Sequence, residues 1–261
     1  NRLQKRNIRV SLFIEPKISD IKIAKHGNRA LSSKTGAADV LKALGVNIDA
    51  DFSLVYESIW DNNLGFLMAP RHHSAMRNVG GVRVELATRT IFNILGPLSN
   101  PSKVNRQLVG VFSRKWVDPL AKVLGNLGLE SAWVVHGADG MDEMSTTGIT
   151  YVAELKKGKI RNFEVTPEDA LIQRSSLEDI RGGDAEFNAI AMKDMLSGKT
   201  GSFRDIVVLN AAASLIVAGI VEDLKNGAIV AQKAIDNGNA QKVLNRLIEI
   251  TNRESTEKVA K

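Results

Sequence analysis

"QLVGVFSRKWVDPLAKVLGNLGLESAWVVHG", Gln107 to Gly137, is the stretch on which the fold turns. "QLVGVFS" reads as a strand, "WVDPLAKVLGNLG" as a helix and "SAWVVHG" as a second apolar strand. Strand, helix and strand at this spacing form a βαβ unit, whose crossover joins parallel neighbours, so the stretch predicts an α/β core with a mostly parallel central sheet flanked by helices. Downstream, "ITYVAELKKGKIRNFEV" predicts a hairpin turning at Lys157-Gly158. From about Asp184 the pattern is helical, with caps at Gly198 and Gly238.

Upstream, "ADVLKALG" sets Val40, Leu41 and Leu44 on one helical face and stops at Gly45, and "DFSLVYESIWDNN" repeats the device with Leu54, Val55 and Ile59. "GFLMAP" then reads as an extended run entering "RHHSAMRNVGGVRVELATRT", where Ser74 caps a helix carrying Met76, Val79 and Val82. The apolar stretch "VVLNAAASLIVAGIV" is interrupted by Asn210 and Ser214 and falls short of the about 18 consecutive apolar residues of a membrane span, so it reads as a buried helix of a soluble domain. No membrane role is expected.

The whole chain has 261 residues, 44% of them hydrophobic and 25% charged, with mean hydropathy of -0.09, which suits one or two globular domains with a real core. The absence of cysteine removes disulfides, zinc-thiolate sites and cysteine nucleophiles, and fits a reducing compartment. A net charge of +6, spread along the chain, attracts phosphorylated small molecules as readily as nucleic acid. No nucleic-acid motif accompanies it, so a nucleic-acid partner is not expected. Residues 1–20 are basic, without steady periodicity and without the continuous apolar run of a secretory signal.

Three polar constellations stand out. "HGADGMDEMSTTG", His136 to Gly148, falls beyond the carboxyl end of the second strand of the βαβ unit, where open α/β sheets bind ligands. Its Asp139, Asp142 and Glu143 suit Mg²⁺, a hard cation that takes oxygen ligands, although acidic turns are more commonly just solvated and the signal taken alone is weak. In "AKHGNRALSSKTG", Ala24 to Gly36, the backbone beside Gly27 with Lys25, Asn28, Arg29, Ser32 and Ser33 can cradle phosphate oxygens, helped by the positive end of the helix that follows. A loop satisfying its own backbone fits the same residues, and no standard phosphate-binding glycine pattern is present. "APRHHSAMRNVGGVR" holds adjacent His72 and His73, which point different ways and do not suit a shared zinc; Arg83 and His73 suit an aromatic carboxylate instead.

Taken together, "KHGNRALSSKTGAADVLKALGV", "HHSAMRNVGGVRVELATRTIFNILGPLSNP", "VVHGADGMDEMS" and "RDIVVLNAAASLIVAG" resemble the anthranilate phosphoribosyltransferase family in order and spacing, from about Ile21 to near Thr251. The resemblance implies a glycosyltransferase of tryptophan biosynthesis. It would join the nitrogen of anthranilate to C1 of phosphoribosyl pyrophosphate and release pyrophosphate with Mg²⁺ present. It also implies a nucleoside phosphorylase/phosphoribosyltransferase-like α/β domain over residues 21–251, with residues 51–86 as interdomain or small-domain helices and a polar tail at 252–261. A cytoplasmic homodimer is the family's usual form. Matched position by position, Lys25, His26, Asn28, Arg29 and Ser33 correspond to the loop lining the phosphoribosyl pyrophosphate and anthranilate sites, His73 and Arg83 to anthranilate-contacting positions, and Asp142 with Glu143 to the Mg²⁺-binding pair.

The chain departs from the family pattern upstream. Family members carry Gly-Thr-Gly-Gly-Asp-Gly and then Asn-x-Ser-Thr segments ahead of Lys-His-Gly-Asn-Arg, and neither occurs here, as expected of a truncated chain or a disrupted reading frame. Ser74 stands where proline is usual and Ala87 where glycine is usual. Two other readings are a pyrimidine nucleoside phosphorylase, whose family shares a loop like "SSKTGAADVLKALG", and an inactive fragment acting through pairing with a homologue. Asn28-Arg29 and "IFNILGPLSNP" speak against the phosphorylase.

Overall fold

The computed structural model describes residues 21–29, 35–73, 78, 81, 85 and 90–254. In chain order the elements are β1 (Ile23–Gly27), α1 (Ala37–Ala43), α2 (Phe52–Asp61), β2 (Leu64–Met68), α3 (Ala69–His72), α4 (Phe92–Leu98), β3 (Arg106–Gly110), α5 (Val117–Asn126) and β4 (Ser131–Gly137). There follow β5 (Thr150–Lys156), β6 (Lys159–Val165), α6 (Ala185–Leu196), α7 (Ser202–Ala218), α8 (Leu224–Asp236) and α9 (Asn239–Thr251). Short 3-10 turns lie at Arg114–Trp116 and Pro167–Ala170.

The βαβ unit forms as its sequence predicts. β3 and β4 are parallel neighbours, with Val109 opposite Val134. Between them, α5 buries Val117, Leu120, Ala121 and Leu124 on one helical stripe, while Asp118 and Lys122 pair at 2.6 Å on the solvent side. That stripe packs on Val109, Val134, Ala153 and Leu155 of the sheet. Each large aliphatic side chain buried there stabilises the unit by about 1.5–3 kcal/mol.

The sheet is parallel in only part of its width. Strand order is β3-β4-β5-β6, and the β4–β5 and β5–β6 pairs are antiparallel; β1 and β2 pair in parallel with each other. The reason lies in the connections. Residues 138–149 contain no helix to carry the chain back along the sheet, so β5 returns antiparallel. Lys157 and Gly158 then take φ of 51° and 74°, the left-handed geometry that a two-residue hairpin needs. β6 exposes Lys159, Arg161 and Glu164 at the sheet edge, charges that discourage further strand pairing.

The principal core joins both strand groups, with Leu64, Phe66 and Met68 of β2 in the same cluster as Trp133, Val135 and Val152. Through it runs α7, buried along most of its length, as the apolar run predicts. Helix α8 approaches it backbone to backbone: a Cβ on Gly227 would lie 2.7 Å from the Cα of Ala212. Finally, α9 fastens the carboxyl-terminal part to the first helices. The Asn62 side-chain amide donates to the Val243 carbonyl at 3.0 Å, and Arg253 pairs with Glu57 at 2.6 Å. Among the described residues no helix is long and apolar enough to cross a membrane.

Candidate functional site

The described parts of all three constellations sit at carboxyl ends of parallel strands. Lys25 and His26 are on β1, which pairs with β2 so that Gly27 faces Met68; beyond these ends lie Asn28 and Arg29 on one side and α3 with His73 on the other. Phe66 of β2 covers Gly27 so closely that a Cβ there would meet its ring at 2.8 Å. The pairing brings two residues 47 positions apart into contact: the Nε2 atoms of His26 and His73 are 3.2 Å apart, with the rings edge to face. His72 turns the other way and packs its ring on Phe52 at 4.8 Å between centroids, so the two adjacent histidines do diverge.

An Nε2–Nε2 hydrogen bond requires one nitrogen to donate and the other to accept, so the pair is satisfied when both rings are neutral. Burial holds His26 down to about 4 from the usual 6.5; His73 and His72 add to the shift, a hydrogen bond to the Gly96 carbonyl opposes it, and Lys25 deepens it. Burial also lowers His72, with Arg71 and His73 contributing. An unfolded chain therefore takes up these protons before the folded one does, and stability present above about pH 6.5 drains away as the pH falls towards about 4. His26→Gln is expected to flatten that part of the profile. Denaturant midpoints of both proteins between pH 7.5 and 4.5 check this, and equal slopes would refute it.

The rest of this edge is held by backbone contacts. The Asn28 side-chain oxygen accepts from the Arg29 amide at 2.8 Å, its carbonyl accepts from the Ala38 amide at 3.5 Å, and Arg29 pairs with Asp49 at 3.6 Å. Asp39 accepts from the amide of Gly36, the N-cap of seven-residue α1, at 2.9 Å. Asn100 reaches the Ala24 carbonyl at 3.5 Å, which lays the end of the Phe92–Leu98 helix against β1. Ser33 and Arg83 lie outside the described residues, as do Ser32, Ser74 and Ala87.

The acidic loop follows β4. The Gly137 amide donates to the Met141 carbonyl at 2.9 Å and the Ala138 amide to the Ile149 carbonyl at 2.8 Å, closing the loop at its base. Of the three carboxylates, Asp139 serves the loop itself: it accepts from the Met141 amide at 3.0 Å, the Ser145 hydroxyl at 2.6 Å and the Thr147 hydroxyl at 2.7 Å. Asp142 and Glu143 are half-buried at its crest. Behind them, Gly110 at the end of β3 admits no side chain, because a Cβ would lie 1.5 Å from the Asp142 carbonyl oxygen. Neither Lys25 nor the acidic pair is without an interacting partner.

Two oxygen-donor carboxylates suit Mg²⁺, which keeps several waters and completes its octahedron with substrate phosphates rather than a full protein cage. No cluster of three or more His, Cys, Asp or Glu able to hold a metal occurs among the described residues. The donor set thus fits an ion that arrives with a phosphorylated ligand.

Two contacts of the acidic loop were not anticipated from sequence: that of Gly110 with Asp142, and that of Asn210, whose side chain exchanges hydrogen bonds with the Met144 backbone. Asn210 had a visible signal, an amide inside the apolar run of a buried helix; Gly110 had none, since its constraint is a long-range contact.

Comparisons with known proteins point the same way. The sequence pattern of the family described as glycosyl transferase family, a/b domain, matches residues 10–241. Anthranilate phosphoribosyltransferase of Paramagnetospirillum magneticum is 63% identical over 235 residues, covering 90% of this chain and 68% of that protein. Its counterpart from Rhodopseudomonas palustris strain BisB5 is 59% identical over 231 residues, covering 88% and 68%. Among solved structures, anthranilate phosphoribosyltransferase from Thermus thermophilus superposes with a TM-score of 0.87 at 38% identity, covering 96% of this chain and 75% of that one. The Saccharomyces cerevisiae enzyme in complex with PRPP and Mg gives 0.79 at 30% identity, covering 88% and 65%. In complex with 4-fluoroanthranilate it gives 0.83 at 27%, covering 96% and 71%.

Proposed function

Because the chain belongs to the anthranilate phosphoribosyltransferase family of glycosyl transferases, we propose that it carries the binding and metal-holding groups for transfer of the phosphoribosyl group from phosphoribosyl pyrophosphate to anthranilate. The product is N-(5-phosphoribosyl)anthranilate, and pyrophosphate leaves. The observation that carries this reading is the meeting of His26 with His73 at 3.2 Å, which joins two of the segments that resemble the family at one strand edge.

The reaction needs little covalent help from the protein. A lone pair on the anthranilate nitrogen forms the bond to C1, the C1–oxygen bond electrons leave with pyrophosphate, and the nitrogen gives up a proton. Holding the nitrogen within reach of C1 replaces a two-body encounter with a near-unimolecular step, worth up to about 7–11 kcal/mol in well-oriented cases. Lys25, Asn28, Arg29 and Ser33 are assigned to phosphoribosyl pyrophosphate. The mutually hydrogen-bonded His26 and His73 offer their rings to the anthranilate ring, and Arg83 takes its carboxylate through two parallel hydrogen bonds. Asp142 and Glu143 would hold Mg²⁺, which supplies neutralisation of the charge gathering on the departing pyrophosphate. A homodimer and a cytoplasmic location belong to the same reading, supported by the family resemblance.

Arg83→Ala tests the assignment of substrates to residues. Placed in the chain extended by the amino-terminal part of a family member, it is expected to raise the KM for anthranilate by about 30- to 150-fold, the equivalent of about 2–3 kcal/mol for a lost charge-assisted pair. The KM for phosphoribosyl pyrophosphate should change little. Equal effects on both would overturn the assignment.

A further inference from the structure

We propose that Asn210 is a positioning residue for the acidic pair Asp142 and Glu143, an inference that rests on reading that pair as the Mg²⁺-holding group. Asn210 is 4% exposed in the middle of α7. An amide there is a poor helix former and costs free energy to bury unless its hydrogen bonds are made. All of its bonds run to backbone. Its side-chain nitrogen donates to the Ile206 carbonyl one turn back at 2.9 Å and to the Met144 carbonyl at 3.0 Å, while its side-chain oxygen accepts from the Met144 amide at 3.0 Å.

Two bonds in opposite senses to one residue fix that residue's rotation as well as its position. Met144 is the residue directly after Glu143, and its own side chain is fully buried in the principal core. On the other side of the pair, the Asp142 backbone rests on Gly110 with no room for a Cβ between them. The two carboxylates are therefore strung between two anchors, the end of β3 and the centre of α7. Helix α7 is itself held by the backbone contact of Ala212 with Gly227. A metal ligand on a loop is only as well placed as the groups that hold the loop, and loss of such supporting contacts typically lowers metal affinity by about 10- to 100-fold.

A residue that merely completes the fold would affect stability without affecting the metal. The 261-residue chain is titrated with Mn²⁺ as a spectroscopic stand-in for Mg²⁺, in the presence of inorganic pyrophosphate, and free Mn²⁺ is followed by electron paramagnetic resonance. Thermal unfolding is measured on the same samples. Asn210→Leu keeps the side-chain size and the helix but removes both bonds to Met144, and it is expected to raise the Mn²⁺ dissociation constant at least about tenfold. Leu215→Ala, a cavity-forming change on the same helix, is expected to lower the unfolding temperature and leave the dissociation constant at the parent value.

Asp142→Asn combined with Glu143→Gln is expected to abolish binding beyond that of pyrophosphate alone. If this pair of changes removes binding while Asn210→Leu binds as the parent does, the role of Asn210 is overturned and the metal reading stands. If the pair changes nothing, or the parent chain binds no Mn²⁺, the metal reading fails and the inference with it. Should the leucine variant not fold, Asn210→Ala decides by the same comparison.

Discussion

Changing Asp142 to Asn and Glu143 to Gln together, in the chain extended by the amino-terminal part of a family member, is expected to lower kcat/KM for phosphoribosyl pyrophosphate by about 10³-fold or more. Negative charge moves onto pyrophosphate as the bond to C1 breaks, and groups aimed at developing charge are worth far more in the transition state than in the ground state. Loss of a single such donor costs about 10²- to 10³-fold in comparable sites. Here both carboxylates proposed to hold the ion go at once. The unfolding temperature should stay close to the parent's, because both side chains are only half-buried and the bonds of Asp139 to Ser145 and Thr147 are left in place. Steady-state rates at saturating Mg²⁺ check this, and a loss below tenfold would contradict it.

A polypeptide of Asn1–Lys261 acting alone is expected to form phosphoribosylanthranilate at least about 10²- to 10³-fold more slowly than the extended chain. Its sequence contains neither the Gly-Thr-Gly-Gly-Asp-Gly nor the Asn-x-Ser-Thr segment that family members place around pyrophosphate. The acidic loop and the Lys25–Arg29 edge are present in it, so one side of the substrate can still be met. The other side cannot. Product formation by the two polypeptides, compared at equal concentration, measures the difference; equal rates would mean that residues 1–20 perform the work of the glycine-rich segment.

Much of the fold is legible because local rules and tertiary outcome agree. The switch from strand to helix to strand between Gln107 and Gly137 has one compact solution, and Lys157-Gly158 is a turn wherever two strands flank it. The antiparallel return after β4 is less legible, since the glycines and hydroxyl residues of 138–149 announce a loop without announcing its direction. In the site, sequence supplies three carboxylates but cannot say which of them faces inward; only the folded loop gives Asp139 to Ser145 and Thr147. The contact of His26 with His73 depends on the register of β1 against β2, which no local pattern encodes. Asn210 reads as a flaw in an apolar helix until Met144 is seen to occupy its amide.

The most direct test of the central claim is the loss of anthranilate fluorescence on mixing the extended chain with anthranilate, phosphoribosyl pyrophosphate and Mg²⁺, set beside release of thymine from thymidine and phosphate. A phosphoribosyltransferase of this kind consumes anthranilate only when phosphoribosyl pyrophosphate and Mg²⁺ are both present, and it releases no thymine. A folded protein that leaves anthranilate untouched and cleaves thymidine would contradict the assignment.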